Sequence, residues 1–192
     1  MGLVVGIAVA SACGSGSAAT EPDEPAEAAT STTRTPRVVD DSGRPQITFD
    51  PCLDIPDELL IEAGYDPKSE EVTDYPMGSY TFLVCGYDGT LHIPGELFRY
   101  GQNIFSGNVT LEEEQAKDGD ISTATTINGR RALIEVDRNT KNSCAIAVET
   151  TFGIVIFSRR YYADHTRGVP QAAWCAGLDE LATSIEPLRF SQ

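Results

Sequence analysis

Ile154-Val155-Ile156-Phe157 is the stretch that most narrows what this chain can become. Successive residues of a strand point to opposite faces, so four large apolar residues in a row leave no face for water and predict a central, covered strand. A cover is found downstream. Trp174, Leu178, Leu181, Ile185 and Leu188 recur at spacings of four and three, a single apolar stripe with Pro187 near its end, and this predicts a C-terminal helix laid across the strand.

The neighbouring sequence supplies partners. Ser122 to Ile127 and Arg130 to Val136 flank Asn128-Gly129, a dipeptide suited to the positive φ angles of a two-residue hairpin turn, and Ser143 to Thr150 precedes Gly153 to Tyr162 as a second hairpin. Upstream, Ser79 to Tyr87 and Thr90 to Pro94 read as a hairpin turning at Asp88-Gly89. Gly95 to Asn108 reads as a further strand plus loop, and Tyr65 to Gly78 as a polar loop. Thr110 and Glu113 form a capping box that opens a short helix ending near Gly119. Asp54 is placed to cap an earlier helix, with Asp57 and Glu58 in its first turn, Gly64 at its stop, and Leu59, Leu60 and Ala63 on one face. The fold class is α+β: an antiparallel sheet packed against N-terminal and C-terminal helices.

That domain is expected over residues 47–190, because what precedes it cannot fold alone. From Gly14 to about Pro45 the chain is Gly, Ser, Ala, Thr, Glu, Asp and Pro with almost no large apolar residue, too little to offset the entropy of ordering. As a coil it is a tether reaching about 30 Å. Residues 1–12 are apolar and end in small residues at Ala10-Ser11-Ala12 before Cys13, the form of a signal peptide with a bacterial lipobox. Ala10 stands where a lipobox usually has Leu, and no basic residue precedes the apolar run, as a start codon assigned too far downstream would produce. Cys13 is thus the expected lipidation site, residues 13–46 the tether, and the outer face of the cell membrane the expected location. No apolar run approaches the roughly 18 residues of a membrane span.

From Ile47 onward, 23 acidic residues stand against 11 basic ones. Such a surface repels phosphate backbones and excludes electrostatic capture of nucleic acid. Four cysteines remain beyond Cys13: Cys52, Cys85, Cys144 and Cys175. An even number in an exported chain predicts two disulfides, and no two stand in the C-x-x-C spacing of a zinc site, so no metal is expected. Of three connectivities, Cys52 with Cys175 joins the two terminal helices and Cys85 with Cys144 joins two strands; that pairing is the expectation.

Asp50-Pro51-Cys52 before a helix, Cys85 in a strand, Cys144-Ala145-Ile146-Ala147-Val148 leading into a glycine hairpin, and Trp174-Cys175-Ala176 opening a helix with Leu181-Ala182 resemble the actinobacterial lipoprotein family of domain of unknown function 3558. The likeness covers about Ile47 to Phe190. Tyr87 departs from the Trp often found two residues after the second cysteine. The resemblance implies an envelope lipoprotein and a fold similar to the Mog1 and PsbP group, and it brings no catalytic residues.

The residues themselves carry no hydrolase, metalloprotease, P-loop or dinucleotide motif, and no cofactor is expected. His92, mid-strand, reads as a partly buried structural residue, Asp164-His165 as an exposed loop pair, and Glu112-Glu113-Glu114 as a solvated helix face. Asn108-Val109-Thr110 matches a glycosylation sequon but is idle in a bacterial setting. Arg159-Arg160-Tyr161-Tyr162 inverts the acidic trend; strand alternation puts half of it on each face, and it is the candidate patch for an anionic glycan, a lipid headgroup or a partner loop. The reading is a non-enzymatic domain that binds an envelope protein or glycolipid, with an envelope hydrolase of unrecognised acidic active site as the alternative.

Overall fold

The computed structural model describes residues 42–136, 142–162 and 168–188. Seven strands form one antiparallel sheet: β1 (Glu71–Pro76), β2 (Thr81–Ile93), β3 (Glu96–Gly107), β4 (Ser122–Ile127), β5 (Arg130–Glu135), β6 (Ser143–Glu149) and β7 (Ile154–Tyr161). Their order across the sheet is β1-β2-β3-β7-β6-β5-β4. β7 is therefore the middle strand, and Ile154, Val155, Ile156 and Phe157 are all buried, as their composition requires. Among the described residues three α-helices accompany the sheet: α1 (Asp57–Glu62), α2 (Leu111–Asp118) and α3 (Leu178–Ile185).

Alternation sorts the apolar side chains into two cores. Val155, Phe157, Ile104, Ile146 and Val148 pack with Leu60 of α1 and Leu178, Leu181 and Ile185 of α3. Ile154, Ile156, Ala147 and Leu133 point the other way and pack with Val109 and Leu111 at the start of α2. The sheet thus has an α1/α3 face and an α2 face. Among the described residues no helix is long and apolar enough to cross a membrane.

Local chemistry sets most boundaries. Asn128 and Gly129 turn β4 into β5 with φ of 49° and 83°, and the capping box is complete, with Thr110 Oγ1 accepting from the Glu113 amide and Glu113 from the Thr110 amide. At the end of α1 the Gly64 and Tyr65 amides return to the carbonyls of Ile61 and Leu60, closing the helix with paired carbonyls.

Five expectations are corrected. Asp54 does not cap α1; its carboxylate accepts from the Asp50 amide in the preceding turn, and Pro56 occupies the N-cap. The stretch 65–78 is not all loop, because Glu71–Pro76 pairs with β2 as an exposed edge strand whose polar residues need no core. Asp88-Gly89 is not a turn: β2 runs through it to Ile93, and the chain reverses at Pro94-Gly95. There the Gly89 position is filled from across the strand, since Gly89 pairs with Tyr100 and a Cβ would collide with the Tyr100 ring. The C-terminal stripe is not one helix, because Gly177 at φ 74° separates Trp174 from α3, although Trp174 is buried in the same core. Order also begins before residue 47: Arg44, assigned to the tether, donates to the carbonyls of Ser79 and Asn108 and to both oxygens of Glu113.

The disulfides are Cys52–Cys85 and Cys144–Cys175, with Cα separations of 5.1 and 5.3 Å. The expected pairing of Cys52 with Cys175 and Cys85 with Cys144 is overturned by strand order. β2 and β6 lie three inter-strand steps apart, about 14 Å, twice the span a disulfide bridges. Each cysteine beside a helical segment instead joins the strand beneath it. The closed loops, 33 and 31 residues apart in sequence, each stabilise by about 3 to 4 kcal/mol in the chain-entropy account.

Candidate functional site

The end of β7 divides the four-residue basic patch by face. Arg159 and Tyr161 turn into the α1/α3 core and are buried, whereas Arg160 and Tyr162 are exposed on the α2 face. The split between faces is the one strand alternation predicts, and it makes two sites of different character.

Arg159, 3% exposed, is enclosed by polar and aromatic groups rather than by a carboxylate. Its Nη2 donates to the Tyr65 hydroxyl at 2.7 Å, Nε to Gln102 Oε1 at 3.3 Å, and Nη1 to the Ala176 carbonyl. The guanidinium lies 4.2 Å from the Tyr100 ring centroid, and Tyr65 and Tyr161 set their rings against Tyr100 edge-on. Gln102 is itself fully buried and donates to the backbone carbonyls of Asn103 and Ser158. Burial pulls the Arg159 pKa down, but Tyr65, Tyr100 and Tyr161 outweigh it, so the side chain stays charged. Burial raises the Tyr65 pKa, with Arg159 opposing, so its hydroxyl stays protonated. Donors and acceptors are matched, and Arg159 ties β3, β7 and the chain before α3 together.

On the other face, beyond α2, a groove crosses the sheet. Register places Glu71, Gly86, Asn103 and Ser158 in one row across β1, β2, β3 and β7, and Asp88, Gly101 and Arg160 in the next. Glycine stands at two of these positions, and neighbouring side chains lie over both: the Tyr162 hydroxyl is 3.0 Å from where a Gly101 Cβ would stand, and Asn103 Oδ1 is 3.0 Å from that of Gly86. The groove encloses about 490 Å³ and is bordered by Glu71 and Asp88 on one side and Arg160 and Tyr162 on the other. Tyr162 donates to Asp88 at 3.0 Å, and the Arg99 guanidinium lies 5.7 Å from its ring. Burial, and then the bond to Asp88, raises the Tyr162 pKa. Among the described residues neither the Arg160 guanidinium nor the Asn103 carboxamide has a side-chain partner. The family model described as protein of unknown function (DUF3558) matches residues 8–188. The chain belongs to the DUF3558 family. No curated protein and no solved structure matches it.

In this DUF3558 protein the acids after Thr110 are not one solvated face. Glu112 is exposed and pairs with Arg131 at 2.7 Å, and Glu113 joins Arg44. Glu114 is buried against β5, where its carboxylate, that of Asp118 and that of Glu135 approach within 4.8 Å of one another. Burial, reinforced by Glu114 and Asp118, pushes the Glu135 pKa up to about 7. Burial likewise raises that of Glu114. These carboxylates are of the type that holds a divalent cation, yet the Lys117 ammonium sits 3.3 Å from Glu114 and 2.8 Å from Asp118 and supplies the counter-charge from within the chain. The cluster can hold a proton near neutrality.

Other expected positions fall as follows. His92 is exposed, not partly buried, because even-numbered residues of this part of β2 point to the open side of the α2 face. Asn108 is buried and accepts from the Thr81 amide, which leaves it no role as a glycan acceptor. Cys13 and Asp164-His165 lie outside the described residues. Reading the sequence missed Gly86, Gly101 and Asn103. Their signal was present: isolated glycines inside strand patterns mark close approach.

Proposed function

We propose that this DUF3558 protein is a non-catalytic cell-envelope lipoprotein, lipidated at Cys13 and held on the outer face of the membrane, whose domain binds an envelope protein or glycolipid. The observation that carries the binding reading is the groove on the α2 face, where, among the described residues, Arg160 and Asn103 present polar groups without a side-chain partner. Two disulfides fit an oxidising compartment, and the family match runs through Cys13, which supports treating the leader and domain as one unit. The actinobacterial source and a sandwich similar to the Mog1 and PsbP group belong to the same proposal.

Two measurements test it. Cys13→Ala is expected to move the chain from the membrane to the soluble fraction; retention in the membrane overturns the anchor. A photo-crosslinker at Thr90, exposed beside the groove, is expected to trap one reproducible species in intact envelopes that Arg160→Glu abolishes and a crosslinker at Glu62 does not trap. Trapping that ignores Arg160→Glu overturns the binding face.

A further inference from the structure

The groove's charges point to the chemistry of its occupant. Asp88 and Arg160 both pair with Gly101 in the strand register, so an acid and a base flank a residue without a side chain, over which the Tyr162 hydroxyl lies. They do not close into an ion pair: Asp88 is held by the Tyr162 hydroxyl at 3.0 Å, and Arg160 has no ionic partner among the described residues. Their positions are two inter-strand steps apart, about 10 Å. Glu71 lies one strand further out, beside Gly86. Between the poles, Asn103 offers an amide donor and acceptor; its Oδ1 would stand 3.0 Å from a Cβ at Gly86, so it reaches over that glycine.

A simple anion entering here would meet two carboxylates, and a simple cation would meet Arg160. A ligand with both charges meets neither conflict. We infer that the groove binds a short zwitterionic peptide, its terminal carboxylate on Arg160 and Asn103 and its ammonium toward Asp88 and Glu71. Length agrees: three extended residues span about 10 Å. The inference rests on the reading of this face as the binding face and adds the ligand class.

The test uses the purified full chain and three probes: trialanine, trialanine amide without the carboxylate, and N-acetyl-trialanine without the ammonium. Backbone amide shifts of Gly86, Gly101 and Asn103 are followed by NMR. Trialanine is expected to shift all three saturably, with a Kd in the millimolar range or below. The amide form and the Arg160→Gln variant are each expected to bind about tenfold more weakly, as loss of a charge-assisted contact worth a decade in Kd requires. The acetylated form is expected to lose about threefold, because Glu71 is open to solvent. Equal binding of the three probes, or no saturable shift, overturns the inference. If the shifts fail while crosslinking from Thr90 still depends on Arg160, the ligand class is wrong and the binding face stands; if both fail, both readings fall.

Discussion

Arg159 and Arg160 are neighbours on one strand with identical side chains, and the sheet gives them opposite fates. Arg159 points into the α1/α3 core, where three donor contacts and the Tyr100 ring consume its charge. Arg160 points to the α2 face, beside Gly101, and has no ionic partner there among the described residues. The comparison separates a charge used to hold a fold from one left available to a ligand. A buried polar group removed from its partners costs far more than an exposed one, so the two positions are separable by stability alone.

The largest effect is expected at Arg159. Arg159→Ala leaves the Tyr65 hydroxyl, Gln102 Oε1 and the Ala176 carbonyl without their donor, and denaturant unfolding is expected to show a loss of about 3 to 5 kcal/mol. A loss under about 1 kcal/mol would erase the contrast between the arginines. Gly89→Ala comes next, at about 1 to 3 kcal/mol, because the new Cβ displaces the Tyr100 ring that lies over the guanidinium. If its cost disappears in an Arg159→Ala background, the two residues act as one unit.

A smaller, pH-dependent effect belongs to the α2 face. Glu135 titrates near 7 when folded against an ordinary value of 4.5, so the folded state binds more protons between those values. Its stabilising contribution is complete below about pH 4.5 and is lost as pH rises toward 7. Glu113 behaves oppositely: Arg44, and then the Thr110 amide, hold its pKa at about 2, so its contribution is present above 4.5 and lost as pH falls. Glu135→Gln is expected to flatten the decline in unfolding free energy between pH 4.5 and 7; an unchanged slope would remove Glu135 as its source. The smallest effect is expected at Arg160, where Arg160→Gln should shift stability by less than about 0.5 kcal/mol while weakening peptide binding. A large loss of stability there would mean that the groove is structural.

Much of the α2 face and of strand β7 was legible in the residues. Strand alternation placed Arg159 and Arg160 apart, and Asn128-Gly129 and Thr110 with Glu113 fixed a turn and a cap, because each feature depends only on bonds within a few residues. Asp88-Gly89 misled for the converse reason. The dipeptide has turn chemistry, but its glycine is needed to admit the Tyr100 ring, a partner eleven residues away in sequence. Glu114 likewise looked like one of three surface acids, and only the position of α2 against β5 buries it beside Glu135.

The sequence alone determined a central strand covered on both faces and an even set of four cysteines after Cys13. The tertiary structure decided which cysteines meet, where the charge of Arg159 is absorbed and which glycines line the groove. The reason is the order of strands. Period and turn chemistry act over a few residues and can be read along the chain, whereas adjacency in a sheet is set by pairings across tens of residues, and those distances decide which side chains can touch.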